Sequence, residues 1–123
     1  MATSTRARII LIDPRAMDPR MIVGIAHELG HVVSGKAHDP AHQEENELDA
    51  NFRAVAILVI GEGTSEEAAF RQIRDLLAAI ATVRAKHGNR APAYHNACAE
   101  MFDLDRRFPQ YPAPPVPACE AER

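Results

Sequence analysis

With 123 residues, 46% of them apolar, the chain has material for one compact domain, which at this size buries roughly two thirds of the surface its unfolded form exposes. Its 14 Lys and Arg against 17 Asp and Glu give a net charge of -3 with no long block of one sign, so nucleic acid is not an expected partner. No stretch reaches the length of a membrane span, and the apolar run after Met1 to Arg8 is too short for the centre of a signal peptide. Cys98 and Cys119 do not make a disulfide framework, so a cytoplasmic protein with reduced thiols and no membrane partner is expected.

Arg8 to Asp13 is a short β-branched run stopped by Pro14, and it predicts one strand. Asp18 is placed to cap, and Pro19 to open, a first helix that runs to about Ser34 and ends at Ser34-Gly35. Lys36 to Gln43 is a polar loop that carries His38, Asp39, Pro40 and His42. A second helix from about Glu44 to Ile60 begins acidic, matching the positive end of the helix dipole, and turns almost wholly apolar after Ala54, so it is expected to cross the core. Gly61-Glu62-Gly63 breaks it. Thr64-Ser65-Glu66-Glu67 then forms a capping box for a third helix ending at Gly88. Phe70, Ile73, Leu77, Ile80 and Ala81 give that helix its apolar stripe, with Arg71, Arg74, Asp75 and Lys86 mostly off it. Pro92 opens a fourth helix through about Arg106. From Pro109 to Pro117 there are five prolines in nine residues, which rules out helix.

An aromatic content of 5% and no Trp leave the core to Ile, Val, Leu and Ala, a composition suited to helix packing. The predicted fold class is α+β and mainly helical, with about four helices and one short N-terminal strand or small sheet. Residues 1–108 form the single domain, and 109–123 form a Pro-rich tail that is extended or disordered.

The chemistry is concentrated in the first helix, where His27-Glu28-Leu29-Gly30-His31 is an H-E-x-x-H sequence. At about 100° per residue the two histidines lie one turn apart and leave the same face, where two neutral imidazoles can hold one metal ion. Glu28 leans toward the same cavity, placed to take a proton from water and not to ligate. Ile25-Ala26, Leu29-Gly30 and Val32-Val33 are all uncharged, so the polar facet is set in an apolar helix. Two histidines and a glutamate there are costly to bury without compensation, which a metal supplies.

A catalytic zinc site takes three protein ligands and leaves a position for water. Four candidates follow the motif. His38 falls one residue late for an H-E-x-x-H-x-x-G-x-x-H pattern, as does Gly35, and His42 has no motif behind it. Glu47 and Asp49 stand at the start of the second helix, pointing about 200° apart around its axis. Glu47 is the better supported, because Asn51 lies one turn beyond it on the same face and can hydrogen-bond to a ligand. Asp49 and His38 remain the alternatives.

From about residue 8 to 60 the chain resembles the gluzincin side of the zincin metallopeptidases, and most of all the ImmA/IrrE family of bacterial and phage proteins. Members show a strand of the type I-I-L-I-N, then A-H-E-L-G-H, then E-x-E-A-N-x-F-A. Here these are Ile9-Ile10-Leu11-Ile12-Asp13, Ala26 to His31, and Glu47-Leu48-Asp49-Ala50-Asn51-Phe52-Arg53-Ala54. Asp49 stands where the second glutamate is usual, and the aromatic comes one residue early. A weaker similarity, through an E-x-x-A-D stretch, is to the HtpX-like peptidases, whose membrane helices are not seen here. The resemblance implies a compact minimal zincin-like domain in which His27, His31 and Glu47 ligate zinc, Glu28 is the general base and Asn51 orients His27. For ImmA/IrrE proteins it also implies cleavage or control of a transcriptional repressor, often alongside a helix-turn-helix domain. None is read in these residues, so the substrate does not carry over.

The expected function is therefore zinc-dependent hydrolysis of a peptide bond in a protein or peptide substrate, with His95 or Tyr94, at the start of the fourth helix, as the donor to the developing oxyanion. The rival is a non-catalytic zincin-derived regulatory or binding protein, phage- or mobile-element-encoded forms included, in which zinc is structural.

Overall fold

Capping chemistry sets most of the element boundaries in the computed structural model, which describes residues 2–4, 9–11, 19–34, 42–88 and 96–122. Strand β2 (Ile9–Leu11) falls within the predicted run and pairs antiparallel with β1 (Ala2–Ser4), Ala2 opposite Leu11 and Ser4 opposite Ile9. Helix α1 spans Pro19–Ser34, as the sequence predicts. Helix α2 (Gln43–Glu62) ends where Gly63, at φ 69°, adopts the left-handed conformation and returns its N–H to Val59 O. Helix α3 (Glu66–Lys86) is capped by the Ser65 hydroxyl, which accepts from the Ala68 N–H, while the Thr64 hydroxyl turns back to Leu58 O instead of joining a capping box.

Helix α4 covers Ala97–Arg107 and therefore starts later than Pro92, because the Asn96 side chain accepts from the Ala99 N–H and nucleates the helix there. The core lies where α1 to α4 meet, with Val23 and Ala26, Ala54 and Leu58, Phe70 and Ile73, and Met101 and Leu104 in one cluster. The expectation that α2 crosses this core is corrected: Ala50, Ala54 and Leu58 face inward, but Ile60 is 83% exposed, so the helix lies along the core with one face in water.

Arg74 is a second correction. It is only 3% exposed on the inner side of α3, with Nε donating to Asp105 Oδ1 (2.8 Å) and Nη2 to Asp105 Oδ2 (3.3 Å) and to Pro114 O (2.9 Å). A guanidinium so buried is tolerable because its fork geometry meets a carboxylate and a carbonyl together. That carbonyl belongs to the Pro-rich segment, which runs without regular structure from Pro109 to Val116 and closes in a 3-10 turn, Pro117–Glu122. Prolines offer carbonyl acceptors and no N–H that needs a partner, so Arg74 and Arg71 (to Pro112 O, 3.2 Å) can draw the segment onto α3. Tyr111 adds a hydrogen bond to Glu66 (2.9 Å) and ring contacts with Phe70 and Phe108.

The segment is also tied covalently. Cys98 and Cys119 form a disulfide with Cα atoms 5.4 Å apart, and both are buried. The expectation of reduced thiols is thus overturned, and with it the premise for a cytoplasmic location drawn from them. Two cysteines cannot declare their pairing in sequence; it needs their Cα atoms brought within reach, which α4 and the returning segment do. Among the described residues, no helix is long and apolar enough to cross a membrane.

Opening this bridge frees a loop with a sequence separation of 21 in the unfolded chain. Replacing both cysteines by alanine should lower the unfolding free energy by roughly 3 kcal/mol, measured by urea denaturation. A change below about 1 kcal/mol would mean that the hydrogen bonds from Arg74, Arg71 and Tyr111 hold the segment without the bridge.

Candidate metal centre

The site begins with a glycine. A Cβ built on Gly30 would meet Ala50 O at 2.5 Å and Ala50 Cα at 2.9 Å, so α1 and α2 touch backbone to backbone within the H-E-x-x-H sequence. Glu47 lies on α2 one turn before this contact, and the short interhelical distance lets its carboxylate reach across to α1.

Glu47 Oε2 lies 3.0 Å from His27 Nε2, Glu47 Oε1 lies 3.2 Å from His31 Nε2, and the two Nε2 atoms are 3.1 Å apart. Three side chains from two helices thus bring ligand atoms within 4.8 Å of one another, and they are the His/His/Glu set able to hold a metal ion among the described residues. Tetrahedral zinc with bonds of about 2.0–2.1 Å separates its ligand atoms by roughly 3.3 Å, so the set fits with small adjustments. Two imidazoles and one carboxylate also suit zinc chemically and leave a position open.

The two histidines are held differently. His27 Nδ1 donates to Asn51 Oδ1 at 2.7 Å, which directs the lone pair of Nε2 toward the cluster. His31 is 8% exposed and its ring meets that of His27 edge-on at 4.7 Å; its Nδ1 has no hydrogen-bond partner among the described residues. Only Nε2 of His31 therefore finds polar compensation, and it finds it in the cluster.

Electrostatics bind the three together. Burial favours neutral Glu47, but hydrogen bonds and charge from His27 and His31 win and hold its carboxyl far below the usual carboxylate range. Burial likewise favours neutral His27, and here Glu47, Asn51 and Glu28 outweigh it and raise the imidazole above its ordinary value. Beside the cluster is a cleft of about 230 Å³ lined by His27, Glu28, Glu47 and Asn51, by Ile73, Leu77 and Ile80 of α3, and by Arg84 and Glu100. A larger cavity of about 440 Å³ between Ile22, Glu62 and Gln72 contains none of the three donors.

The structure thus brings together His27, His31, Glu47 and Asn51, with Glu28 on the wall of the same cleft. Asp49 is not brought in: it faces α4, where its carboxylate pairs with Arg107 at 3.6 Å. His42 is exposed ahead of α2. His38, Tyr94 and His95 lie outside the described residues. Sequence reasoning missed Glu100, which is 7% exposed and accepts a hydrogen bond from Asn51 Nδ2 at 2.8 Å. Burial pushes its carboxyl up, as does the charge of Glu47, against the Asn51 hydrogen bond and the positive charges of His27 and Arg84. The signal was present in sequence, since Glu100 falls on the buried stripe of α4 with Ala97, Met101 and Leu104.

A mainly helical domain with this His/His/Glu cluster is of the zincin-like kind. The comparisons agree: the chain matches the Peptidase M78 family, described as the IrrE N-terminal-like domain, over residues 1–95, and it belongs to that family. No curated protein and no solved structure matches it, and the likeness to HtpX-like peptidases drew no match.

Gly30→Ala should separate the helices in spite of alanine's better helix propensity, costing about 1–3 kcal/mol of stability and weakening metal binding; thermal melts and chelator competition measure the two effects. Proton linkage gives a second expectation for the metal-free protein. The raised His27 value contributes stability that is full below its ordinary 6.5 and lost as pH rises through the raised value. The depressed Glu47 value contributes stability that is full above its ordinary 4.5 and lost as pH falls toward the depressed one. In chelator, the contribution of this pair should therefore peak between 4.5 and 6.5 and decline toward alkaline pH, whereas stabilisation by added zinc should grow with pH. Chelated protein whose melting temperature climbs steadily above about pH 7 would contradict the pairing.

Proposed function

We propose that the chain is a zinc-dependent peptidase that hydrolyses a peptide bond in a protein substrate, with His27, His31 and Glu47 as the metal ligands. The observation that carries this is the convergence of the two imidazole Nε2 atoms, 3.1 Å apart, and the Glu47 carboxylate, whose two oxygens lie 3.0 and 3.2 Å from them, at a cleft whose wall includes Glu28. When bound, zinc supplies Lewis acidity, lowering the pKa of water toward about 7 and polarising a carbonyl. The chain's own residues do the rest. Asn51 holds the His27 ring so that Nε2 faces the cluster. Glu28 serves as general base, taking the proton of the attacking water and returning it to the leaving amine. Ile73, Leu77 and Ile80 keep that proton transfer beside an apolar wall, where water competes less.

The rival function is zincin-derived regulation or binding without turnover, with zinc as a structural ion, and the small volume of the cleft, about 230 Å³, favours it. A glutamate in the position of a base has no use in such a protein.

Glu28→Gln separates the two. In the peptidase this variant should keep zinc within a few-fold of the wild type and lose about 10²–10⁴-fold in turnover, followed by mass spectrometry of a peptide library or by digestion of denatured casein. Equal turnover in both proteins would remove Glu28 from the role of base, and a zinc-loaded wild type that cleaves nothing while Glu28→Gln retains its biological effect would establish the regulatory function instead.

A further inference from the structure

Behind His27 the hydrogen bonds continue into a helix outside the family match. His27 Nδ1 donates to Asn51 Oδ1 (2.7 Å), and Asn51 Nδ2 donates to Glu100 Oε1 (2.8 Å) on α4. The match ends at residue 95 and α4 begins at Ala97, so Glu100 lies beyond the matched residues.

An asparagine amide has one accepting and one donating end of nearly the same shape, and alone it can face a histidine either way round. With its oxygen toward Nδ1, the imidazole carries its proton there and offers a lone pair at Nε2. With its NH2 group toward Nδ1, the imidazole must carry its proton on Nε2, aimed at the position a metal would take. What breaks the tie is the group on the far side of Asn51. Glu100 Oε1 accepts from the NH2 end and so leaves the amide oxygen for His27.

We infer that Glu100 is a positioning residue for the metal centre: by accepting from Asn51 Nδ2 it sets which end of that amide faces His27, and so keeps His27 Nε2 free to ligate. The inference rests on the metal reading of the cluster. It also accounts for a carboxylate only 7% exposed on an apolar helix stripe, a placement that core packing alone disfavours. Glu100 is held there by its helix, whose neighbouring Cys98 is bridged to Cys119 and whose Met101 and Leu104 are fully buried.

The test compares the full-length wild type with Glu100→Gln, which can accept from Asn51 but can also donate and so fixes its orientation less firmly, and Glu100→Met, which fills the space without an oxygen. In the metal-free wild type, NMR should show a slowly exchanging, downfield-shifted Asn51 Nδ2 proton; Glu100→Gln should keep it in part and Glu100→Met should lose it. Zinc affinity, measured by competition with a chromophoric chelator, should fall about 10–100-fold in Glu100→Met and by clearly less in Glu100→Gln. An ordinary, fast-exchanging Asn51 amide in the wild type overturns the inference without recourse to any variant. So does equal loss of affinity in both variants in step with their melting temperatures, which marks a packing role alone, or equal affinity in all three proteins. A wild type that binds no zinc defeats the metal reading instead, and the amide resonance still decides whether Glu100 orients Asn51.

Discussion

A methyl group on Gly30 would lie 2.5 Å from the carbonyl oxygen of Ala50, and the absence of that methyl sets the distance between α1 and α2. Everything chemical in the molecule follows from this distance. Helix axes separated by ordinary side chains lie 8–10 Å apart, and a glutamate then reaches one histidine of the facing helix more readily than two. With backbones in contact, Glu47 spans both His27 and His31. The same closeness brings Asn51, one turn on, against His27 Nδ1. A glycine between the two histidines is therefore as much a part of the site as the residues with lone pairs.

The remaining helices serve that pair. Helix α3 closes the cleft with Ile73, Leu77 and Ile80, and α4 packs its buried face beneath Asn51. Arg74 then joins α3 to α4 through Asp105 and to the Pro-rich segment through Pro114 O. Replacing only one member of such a buried group leaves a charge unpaired, so these contacts tend to be kept or lost together. The chain thus spends a large part of its buried polarity on two clusters, one at the metal centre and one at the Arg74 hub, and fills the space between them with aliphatic side chains.

Legibility in the sequence followed periodicity. His27, His31, Glu47 and Asn51 recur at helical spacing, so their common faces could be read off directly, and the helix termini at Pro19, Ser65 and Gly63 carried local chemical signals. Gly30 was visible only as an uncharged residue, because close approach is a property of two helices and not of one. Arg74 looked solvent-facing because its partners, Asp105 and Pro114, are 31 and 40 residues away. Strand β1, Ala2-Thr3-Ser4, has no apolar alternation and is defined by the partner it pairs with. The disulfide depends on where α4 lies, which no motif announces, and Glu100 shows only as a carboxylate on the apolar stripe of that helix because its partner Asn51 is 49 residues away.

The family match and the hydrogen-bonded chain behind His27 do not end together. The family match stops at residue 95, yet the amide that steadies His27 leans on a carboxylate from the following helix. A protein that held the His27, His31, Glu47 and Asn51 equivalents without this helix would have them without their backstop. Whatever occupies the place of Glu100 in such a protein must also accept a hydrogen bond, from a side chain, a carbonyl or an ordered water, if the asparagine is to face the same way. What the asparagine requires at this place is thus a hydrogen-bond acceptor and not one particular side chain.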